Sequence, residues 1–301
     1  MSEWKTYRLG EICKNVVDYR GKTPAKLGAD WATSGYRVFS AKNIKTGHIV
    51  QTDSIRYVDE DLYRKWMKDE VERGDIIITS EAPLGEVYYW DSDEKIVLGQ
   101  RLFGLKINKV CYSKYLYYYM TTVQFQSELR NRATGTTVVG LRQPELLKCT
   151  VSLPPLDEQR KIAGILGALD DKIELNRRIN ANLEEQAQAL FKSWFVDFEP
   201  FKDGPFIDSE LGKIPKGWRV GVASDFYNIT IGKTPPRKEQ FWFSKNCKDI
   251  VWVSISDMGN SGPFIGDSSE YLTMESIKKF NICVVPIDTV LLSFNPLAEL
   301  N

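Results

Sequence analysis

The chain contains most of one sequence unit twice, and this repeat limits its possible folds more than any other feature. Trp4 is followed by a GKTP tetrapeptide at 21–24, and Trp218 is followed by the same tetrapeptide at 232–235. Four further matches, spaced by 213 or 214 residues, are SAKNI (40–44) with SISDM (254–258), Tyr57 with Tyr271, GDIIITS (74–80) with IDTVLLS (287–293), and APLGEV (82–87) with NPLAEL (295–300). The repeat predicts two copies of one domain, and two copies of a binding domain suit a target with two parts.

Length and composition fit ordinary globular domains. A chain of 301 residues has room for about two domains, and 43% apolar with 27% charged residues is typical of such proteins. Basic and acidic residues number 40 each, so the net charge is zero and a global basic field is absent. Any nucleic-acid binding must therefore come from local patches of charge.

Cysteine usage and hydropathy predict a cytoplasmic protein with no contact with a membrane. The five cysteines are odd in number and form no CxxC pair, which favours reduced thiols over a disulfide framework. The N-terminal sequence MSEWKTYRLG lacks the apolar core of a signal peptide. No apolar run approaches the length of a membrane span.

Periodicity predicts a mixed α/β (α+β) fold for residues 1–153. Short β-rich runs are broken by Gly, Asp and Pro: RVFSAKNI, DIIITS, EVYYW and KIVLGQRLFGLKI. Residues 113–131 have apolar positions near helical spacing, and the following glycine, Gly135, suits a helix end. We therefore expect a strand-rich domain that contains one helix over 113–131.

A long helix is predicted from about Asp157, as its N-cap, to Phe195. Its apolar residues recur in alternating steps of four and three, and two asparagines fall on the same line. This heptad seam consists of Ile162, Leu166, Leu169, Ile173, Asn176, Asn180, Leu183, Ala187, Leu190 and Trp194. Asparagines on such a seam fix the register of a coiled coil at a cost in stability, so we favour pairing with another long helix. The alternative is a helix that packs on its own domains.

The pattern as a whole predicts four segments. A first domain covers 1–153, the long helix covers 154–200, a linker rich in proline and glycine covers 201–217, and a partial second copy covers 218–301.

Enzyme motifs are not matched. A phosphate-binding loop ending in GKT needs a glycine five residues upstream, and that position is Val16. His48 is the only histidine, which leaves no Cys/His zinc site or HExxH motif. We therefore expect no catalytic residue, no metal site and no cofactor in this chain.

Features that suit DNA binding are more frequent. Three loops of the first domain combine cations, amides and hydroxyls, groups that contact phosphates and base edges, and the second copy repeats one of them. The candidates are Arg20, Lys22, Thr23, Lys42, Asn43, Lys45, Arg132, Thr134, Thr136 and Thr137, with Lys233, Thr234 and Arg237 in the second copy. The alternative for each residue is an ordinary solvated loop position.

Four passages together resemble the specificity (S) subunit of type I restriction–modification enzymes. They are WKTYRL (4–9) leading to GKTP (21–24), LPPLDEQRK (153–161), the helical segment 162–195, and LGKIPKGW (211–218). The combination is specific, whereas GKTP alone is not. The resemblance covers the whole chain.

The resemblance implies a protein without activity of its own that directs partner subunits to a split DNA site. Each recognition domain would read one half of the site on double-stranded DNA. Methyltransferase (M) subunits would bring S-adenosylmethionine, and restriction (R) subunits would bring dependence on ATP and magnesium. The conserved helices of the family would pack against each other as a spacer.

The second copy matches the first only as far as Val87 and Leu300, so the resemblance implies truncation within the second recognition domain. Three interpretations stay open for such a chain: a working subunit, a non-functional or phase-variation remnant, and a half-subunit that forms a homodimer through the helix. A stand-alone DNA-binding regulator and an independent enzyme are further alternatives.

Overall fold

A computed structural model describes residues 3–135, 139–262 and 264–293 of the protein. The chain divides into two units, Met1–Ala189 and Leu190–Asn301. The division falls inside the long helix, whereas the sequence places boundaries at its ends. The boundaries of the four predicted segments stay predictions.

Unit 1 has the mixed α/β composition that the sequence predicts. Its strands are β1 (Lys5–Arg8), β2 (Cys13–Asp18), β3 (Tyr36–Phe39), β4 (Ile44–Lys45), β5 (His48–Ile49), β6 (Arg56–Val58), β7 (Ile76–Thr79), β8 (Val87–Tyr89), β9 (Val97–Leu98), β10 (Leu102–Ile107) and β11 (Thr150–Leu153). Its helices are α1 (Leu9–Ile12), α2 (Glu60–Trp66), α3 (Ser113–Met120), α4 (Val123–Arg132), α5 (Gln143–Leu146) and α6 (Leu156–Phe191).

A four-stranded antiparallel sheet in the order β2-β10-β7-β8 lies at the centre of unit 1. Its strand β7 is buried on both faces. Ile76 and Ile78 pack into one hydrophobic cluster with helices α3 and α4, while Ile77 packs into a second cluster with α2 and the sheet β6-β3-β9. Because side chains alternate along a strand, three consecutive isoleucines serve two cores.

The helix predicted over 113–131 is two helices, α3 and α4. Thr122 interrupts the run because its hydroxyl accepts a hydrogen bond from the backbone N–H of Phe125 and so caps the start of α4. A threonine in this role ends one helix and begins the next. The apolar spacing is helical on both sides of the break, so the periodicity predicted the helical content correctly but not the interruption.

Helix α6 confirms the predicted long helix, at about 54 Å for 36 residues. A π-helical turn at Lys192–Val196 carries the helical backbone to the predicted end. The predicted cap, Asp157, is wrong. The carbonyl of Pro155 accepts from the N–H groups of Glu158 and Gln159, so Asp157 lies within the first turn.

Two buried residues, Gln159 and Ala163, attach the start of α6 to unit 1. The amide of Gln159 donates to the carbonyl of Pro154 at 2.8 Å and accepts from the N–H of Tyr112 at 2.8 Å. These bonds give the glutamine of the LPPLDEQRK passage a structural role. No helix in the described part of the chain combines the length and apolar character needed to cross a membrane.

Unit 2 repeats part of unit 1 in its strand register. Its elements are β12 (Phe206–Ser209), β13 (Gly212–Pro215), β14 (Phe243–Ser244), β15 (Ile250–Trp252), α7 (Ile255–Asn260), β16 (Glu270–Leu272) and α8 (Met274–Phe280). Tyr36 pairs with Val58 between β3 and β6, and Ile250 pairs with Leu272 between β15 and β16. Both partners are shifted by 214 residues, so the sequence repeat is also a structural repeat.

Two segments of unit 2 differ from what their sequences suggest. The predicted linker is folded, because β12 and β13 form a hairpin and three phenylalanine rings, including Phe198, surround Trp218. The strand-like segment 289–293 has no regular secondary structure. Its counterpart β7 is hydrogen-bonded between two strands, whereas no described segment pairs with 289–293.

The double burial of β7 predicts a large effect of cavity formation. Ile77→Ala should lower the free energy of unfolding by about 2–5 kcal/mol, because a fully buried side chain leaves a cavity in a packed cluster. Val123, which is 82% exposed, provides the control, and Val123→Ala should change the value by less than about 0.5 kcal/mol. Urea titration of both variants checks the difference, and equal effects would contradict the burial of β7.

Candidate nucleic-acid interface

One end of the central sheet gathers several loops of unit 1, and one of these loops carries the sequence candidates Arg20, Lys22 and Thr23. The pairs Phe103 with Asp18 and Leu102 with Thr79 bring the end of β2, the start of β10 and the end of β7 to the same edge. The start of β8 joins them through the pairing of β7 with β8. The loops that follow or precede these strand ends therefore lie side by side, and we call them the loop edge (19–24, 80–86 and 99–101).

Backbone hydrogen bonds connect the loop edge to two further segments. Ser80 donates its N–H to the carbonyl of Arg101 at 2.8 Å and accepts from the N–H of Leu141 at 2.8 Å. The carbonyl of Gln100 accepts from the N–H of Ala41 at 3.2 Å. The structure thus brings the three predicted binding segments, around residues 20, 42 and 134, to one region of unit 1.

Arg20 is held by internal partners. Its guanidinium pairs with the carboxylate of Asp18 at 2.8 Å, donates to the carbonyl of Leu141 at 3.3 Å and lies 4.0 Å from the ring centroid of Phe103. The bond to Leu141 attaches the Arg20 turn to the segment that precedes α5. Arg20 therefore positions the loop edge.

Lys22 is also held from within the protein. Its ammonium donates to the carbonyl of Trp66, the last residue of α2, at 2.7 Å and lies over the ring of Tyr19. Burial and the nearby Lys68 ammonium lower the pKa of Lys22. A cation at the C-terminal end of a helix is favourable because the last carbonyls there lack helical partners.

Lys233 makes the equivalent contact in unit 2. Its ammonium donates to the carbonyls of Phe280, the last residue of α8, at 3.3 Å and of Asn281 at 3.0 Å. The lysine of the GKTP tetrapeptide thus binds the end of the corresponding helix in both units. Binding of a helix end explains the repeated lysine without reference to DNA.

Asn43 is not available to a DNA base. Its side chain is 1% exposed, and its amide bonds to the backbone N–H and hydroxyl of Ser40, the carbonyl of Gln51 and the hydroxyl of Ser54. In unit 2, Asp257 occupies the corresponding place. The amide caps a turn, so its place in the predicted binding set is corrected.

The other candidates differ in how exposed their side chains are and in whether they form ion pairs within the protein. Lys42, Lys45, Thr134 and Thr234 are exposed and Thr23 is half-buried, whereas Arg132 pairs with Glu128 at 2.9 Å. The guanidinium of Arg237 pairs with Glu270 at 2.5 Å and lies over two aromatic rings. Thr136 and Thr137 lie outside the described residues.

Sequence reasoning missed three exposed polar residues of this region: Gln100, Arg101 and Arg142. Gln100 and Arg101 fall inside a run that reads as strand, and they form the turn between β9 and β10. Arg142 directly precedes α5. The glycine at 99 was the available signal for a turn, because glycine often interrupts a strand pattern.

The heptad seam of α6 is exposed over most of its length. Ile162 and Leu166 are half-buried near the attachment to unit 1, whereas Leu169, Ile173 and Leu183 are each about half exposed. Asn176 and Asn180 are also exposed. The seam beyond Leu166 therefore presents apolar side chains that unit 1 does not cover. At the far end, in unit 2, Leu190 and Trp194 are exposed as well.

The described residues carry no arrangement typical of a catalytic centre. Burial raises the pKa of Cys13, Cys111 and Cys149 to about 12, which keeps these thiols protonated and unreactive. His48 is exposed and its Nε2 lies 3.2 Å from a guanidinium nitrogen of Arg177. No group of three or more possible metal ligands occurs among these residues.

Comparison with known families assigns the chain. The family model for the type I restriction modification DNA specificity domain matches residues 1–185, more than half of the chain. The chain therefore belongs to this family of specificity domains. This result confirms the resemblance seen in the sequence.

Individual relatives agree with the assignment. The specificity subunit of the type I restriction enzyme MjaIX from Methanocaldococcus jannaschii is 35% identical over 212 residues, covering 70% of this chain and 48% of that protein. The HindI specificity subunit from Haemophilus influenzae is 25% identical over 364 residues, and the alignment covers 96% of this chain and 75% of the HindI subunit. This chain thus spans about half the length of the MjaIX subunit.

A solved structure shares the fold. The crystal structure of the S subunit of the type I restriction–modification system from M. genitalium aligns with 90% of this chain and 62% of its own chain, with a TM-score of 0.50 and 16% identity. At this identity the likeness shows the fold and nothing further.

The contact of Lys22 with α2 predicts a loss of stability when the lysine is removed. Lys22→Ala should lower the free energy of unfolding by about 1 kcal/mol, because the carbonyl of Trp66 loses a charged donor. Lys42→Ala removes an exposed lysine that has no side-chain partner among the described residues, and it should have almost no effect. Thermal denaturation compares the two variants, and equal melting temperatures would refute the helix-end role.

Proposed function

We propose that this chain is the sequence-specific DNA-recognition component of a type I restriction–modification complex. The family match over residues 1–185 carries the proposal. The loop edge supports it, since loops held by a rigid sheet are a common place for binding residues. The exposed amide of Gln100 on this edge suits base edges, and the exposed Lys42 on the adjoining segment that begins at Ala41 suits phosphates.

Catalysis in this proposal belongs to partner subunits. Methyltransferase subunits would bind S-adenosylmethionine and transfer the methyl group, and restriction subunits would use ATP and Mg²⁺. The chain itself would supply recognition without chemistry, in the cytoplasm where the chromosomal DNA of its host lies. The protonated buried thiols and the lone exposed His48 support a non-catalytic role.

The target in this proposal is a bipartite site on double-stranded DNA. Two units with the same strand register support two related recognition elements. Helix α6, about 54 Å long, exceeds one turn of DNA at about 34 Å. A spacer of this length can hold two half-sites apart by more than one turn.

Methylome sequencing tests the proposal directly. A host that carries the methyltransferase partner and this chain should show a methylated sequence motif that disappears when this gene is deleted. Restoring the gene should restore the methylated motif, because the methyltransferase alone would lack sequence specificity.

Co-purification with the methyltransferase separates the remaining interpretations. A stable complex without any motif would show that assembly survives while recognition is lost. Absence of both complex and motif would favour a non-functional remnant. Sequence-specific binding by the chain alone would favour a stand-alone regulator instead.

The exposed seam of α6 favours a second candidate, a homodimer of half-subunits that pair through their long helices. Two chains would then present two copies of unit 1, and the recognised site would be symmetric. Seam residues such as Leu169 and Leu183 lack cover from their own unit, and burying them against a second seam would stabilise the pair.

Two substitutions on α6 test pairing through the seam. Leu183 lies on the seam and Leu175 lies off it, and both side chains are 57% exposed. Leu183→Asp should abolish pairing with any second helix, because a carboxylate would be buried in an apolar seam. Leu175→Asp on the same helix should retain pairing.

Light scattering at micromolar concentration measures the outcome in the absence of the methyltransferase. A wild-type dimer that becomes monomeric only with Leu183→Asp would support the homodimer. A wild-type monomer would exclude it. An equal effect of both substitutions would place the contact elsewhere on the helix.

A further inference from the structure

The turn between β9 and β10 holds a residue in an unusual backbone conformation. Arg101 has φ of +66°, in the left-handed region that residues other than glycine seldom adopt. The neighbouring Gln100 is exposed, and both side chains lie on the loop edge. Residues held in such conformations are concentrated at functional sites, because only a well-anchored structure maintains them.

The backbone of this turn is anchored from both sides. The carbonyl of Arg101 accepts from the N–H of Ser80 at 2.8 Å, and the carbonyl of Gln100 accepts from the N–H of Ala41 at 3.2 Å. The next residue, Leu102, is fully buried and begins a central strand. The turn is therefore rigid in its backbone while its two long polar side chains face solvent.

Arg101 differs from Arg20 and Arg132 in how its guanidinium is used. Arg20 engages Asp18 with two nitrogens and a backbone carbonyl with a third. Arg132 has two nitrogens on Glu128. In contrast, Arg101 contacts Glu81 through Nε at 2.8 Å, and its two terminal nitrogens have no partner among the described residues.

This geometry leaves the two terminal nitrogens of Arg101 available, and these are the atoms of an arginine that bind guanine. The two terminal nitrogens form a fork that matches the O6 and N7 acceptors of guanine, while the ion pair between Nε and Glu81 restricts where the fork can lie. Gln100, one residue earlier, carries an amide that matches the N6 and N7 groups of adenine.

We propose that Gln100 and Arg101 form a base-reading turn of unit 1, with Glu81 as the positioning residue for the Arg101 guanidinium. The inference rests on the proposed function and goes further by naming the bases, guanine and adenine in the major groove, and the residues that contact them. Arg142, exposed beside the same edge, provides a nearby cation for the DNA backbone.

The test uses the complex with the methyltransferase and two substitutions of Arg101. Asparagine tolerates the left-handed conformation and removes the fork. Lysine retains the positive charge but cannot make the two parallel hydrogen bonds. The control is Arg73→Asn near the opposite end of the sheet. Arg73 is 50% exposed and ion-paired to Asp91 and Asp93, while Arg101 is 47% exposed.

Methylome sequencing and binding to duplexes with the wild-type motif and its single-base variants give the readout. Arg101→Asn and Arg101→Lys should each reduce discrimination at one guanine by about tenfold or more, with other positions unchanged. Arg101→Lys should keep its affinity for unrelated DNA, because the charge is retained. Arg73→Asn should preserve the wild-type motif and its discrimination.

The failures are distinguishable. A wild-type complex that methylates no motif would refute the proposed function itself. A wild-type motif that both Arg101 variants reproduce at the same level would refute only the base-reading turn. Uniform weakening across all sequences by both variants, at an unchanged melting temperature, would assign Arg101 to phosphate contact and also overturn the inference. If Arg101→Asn lowers the melting temperature, the result with Arg101→Lys decides.

Discussion

The placement of β7 in the middle of the central sheet is the constraint on which unit 1 depends. The strand is hydrogen-bonded on both edges and buried on both faces, so it cannot shift by one residue without moving isoleucines between two cores. This register also fixes which strand ends meet. The loop edge is therefore a consequence of core packing, and its side chains are presented by a backbone that has little freedom to move.

The long helix follows a different physical rule. Its first turns are secured to unit 1 by Gln159 and Ala163, and most of the remainder is exposed on all sides. An isolated apolar seam in water gains stability only when another surface covers it. The structure thus contains a domain that is complete in its packing and a helix that is not, which suits a component of an assembly.

Several features could be predicted from the sequence because they depend on local periodicity. The heptad spacing from Ile162 predicted a helix that is present. The repeat predicted two copies of one domain, and strand pairs in the two units share one register. The errors have a common origin. The helix break at Thr122 was missed and Asp157 was wrongly assigned as a cap, because capping depends on which backbone groups lie nearby. Asn43 was placed among binding residues because partners such as Gln51 are distant in the sequence.

By itself, the sequence determined the duplication, the long helix and the family, since all three are patterns along the chain. Only the tertiary structure decided the use of individual polar side chains. Lys22 and Lys233 each lie next to a threonine in a GKTP tetrapeptide, and in the sequence they resemble phosphate-binding residues. In the structure, each donates a hydrogen bond to the end of a helix more than 40 residues away. Arg101 resembles a strand residue and is instead an exposed turn residue. The physical reason is that a hydrogen bond depends on distance in space, which a linear pattern does not contain.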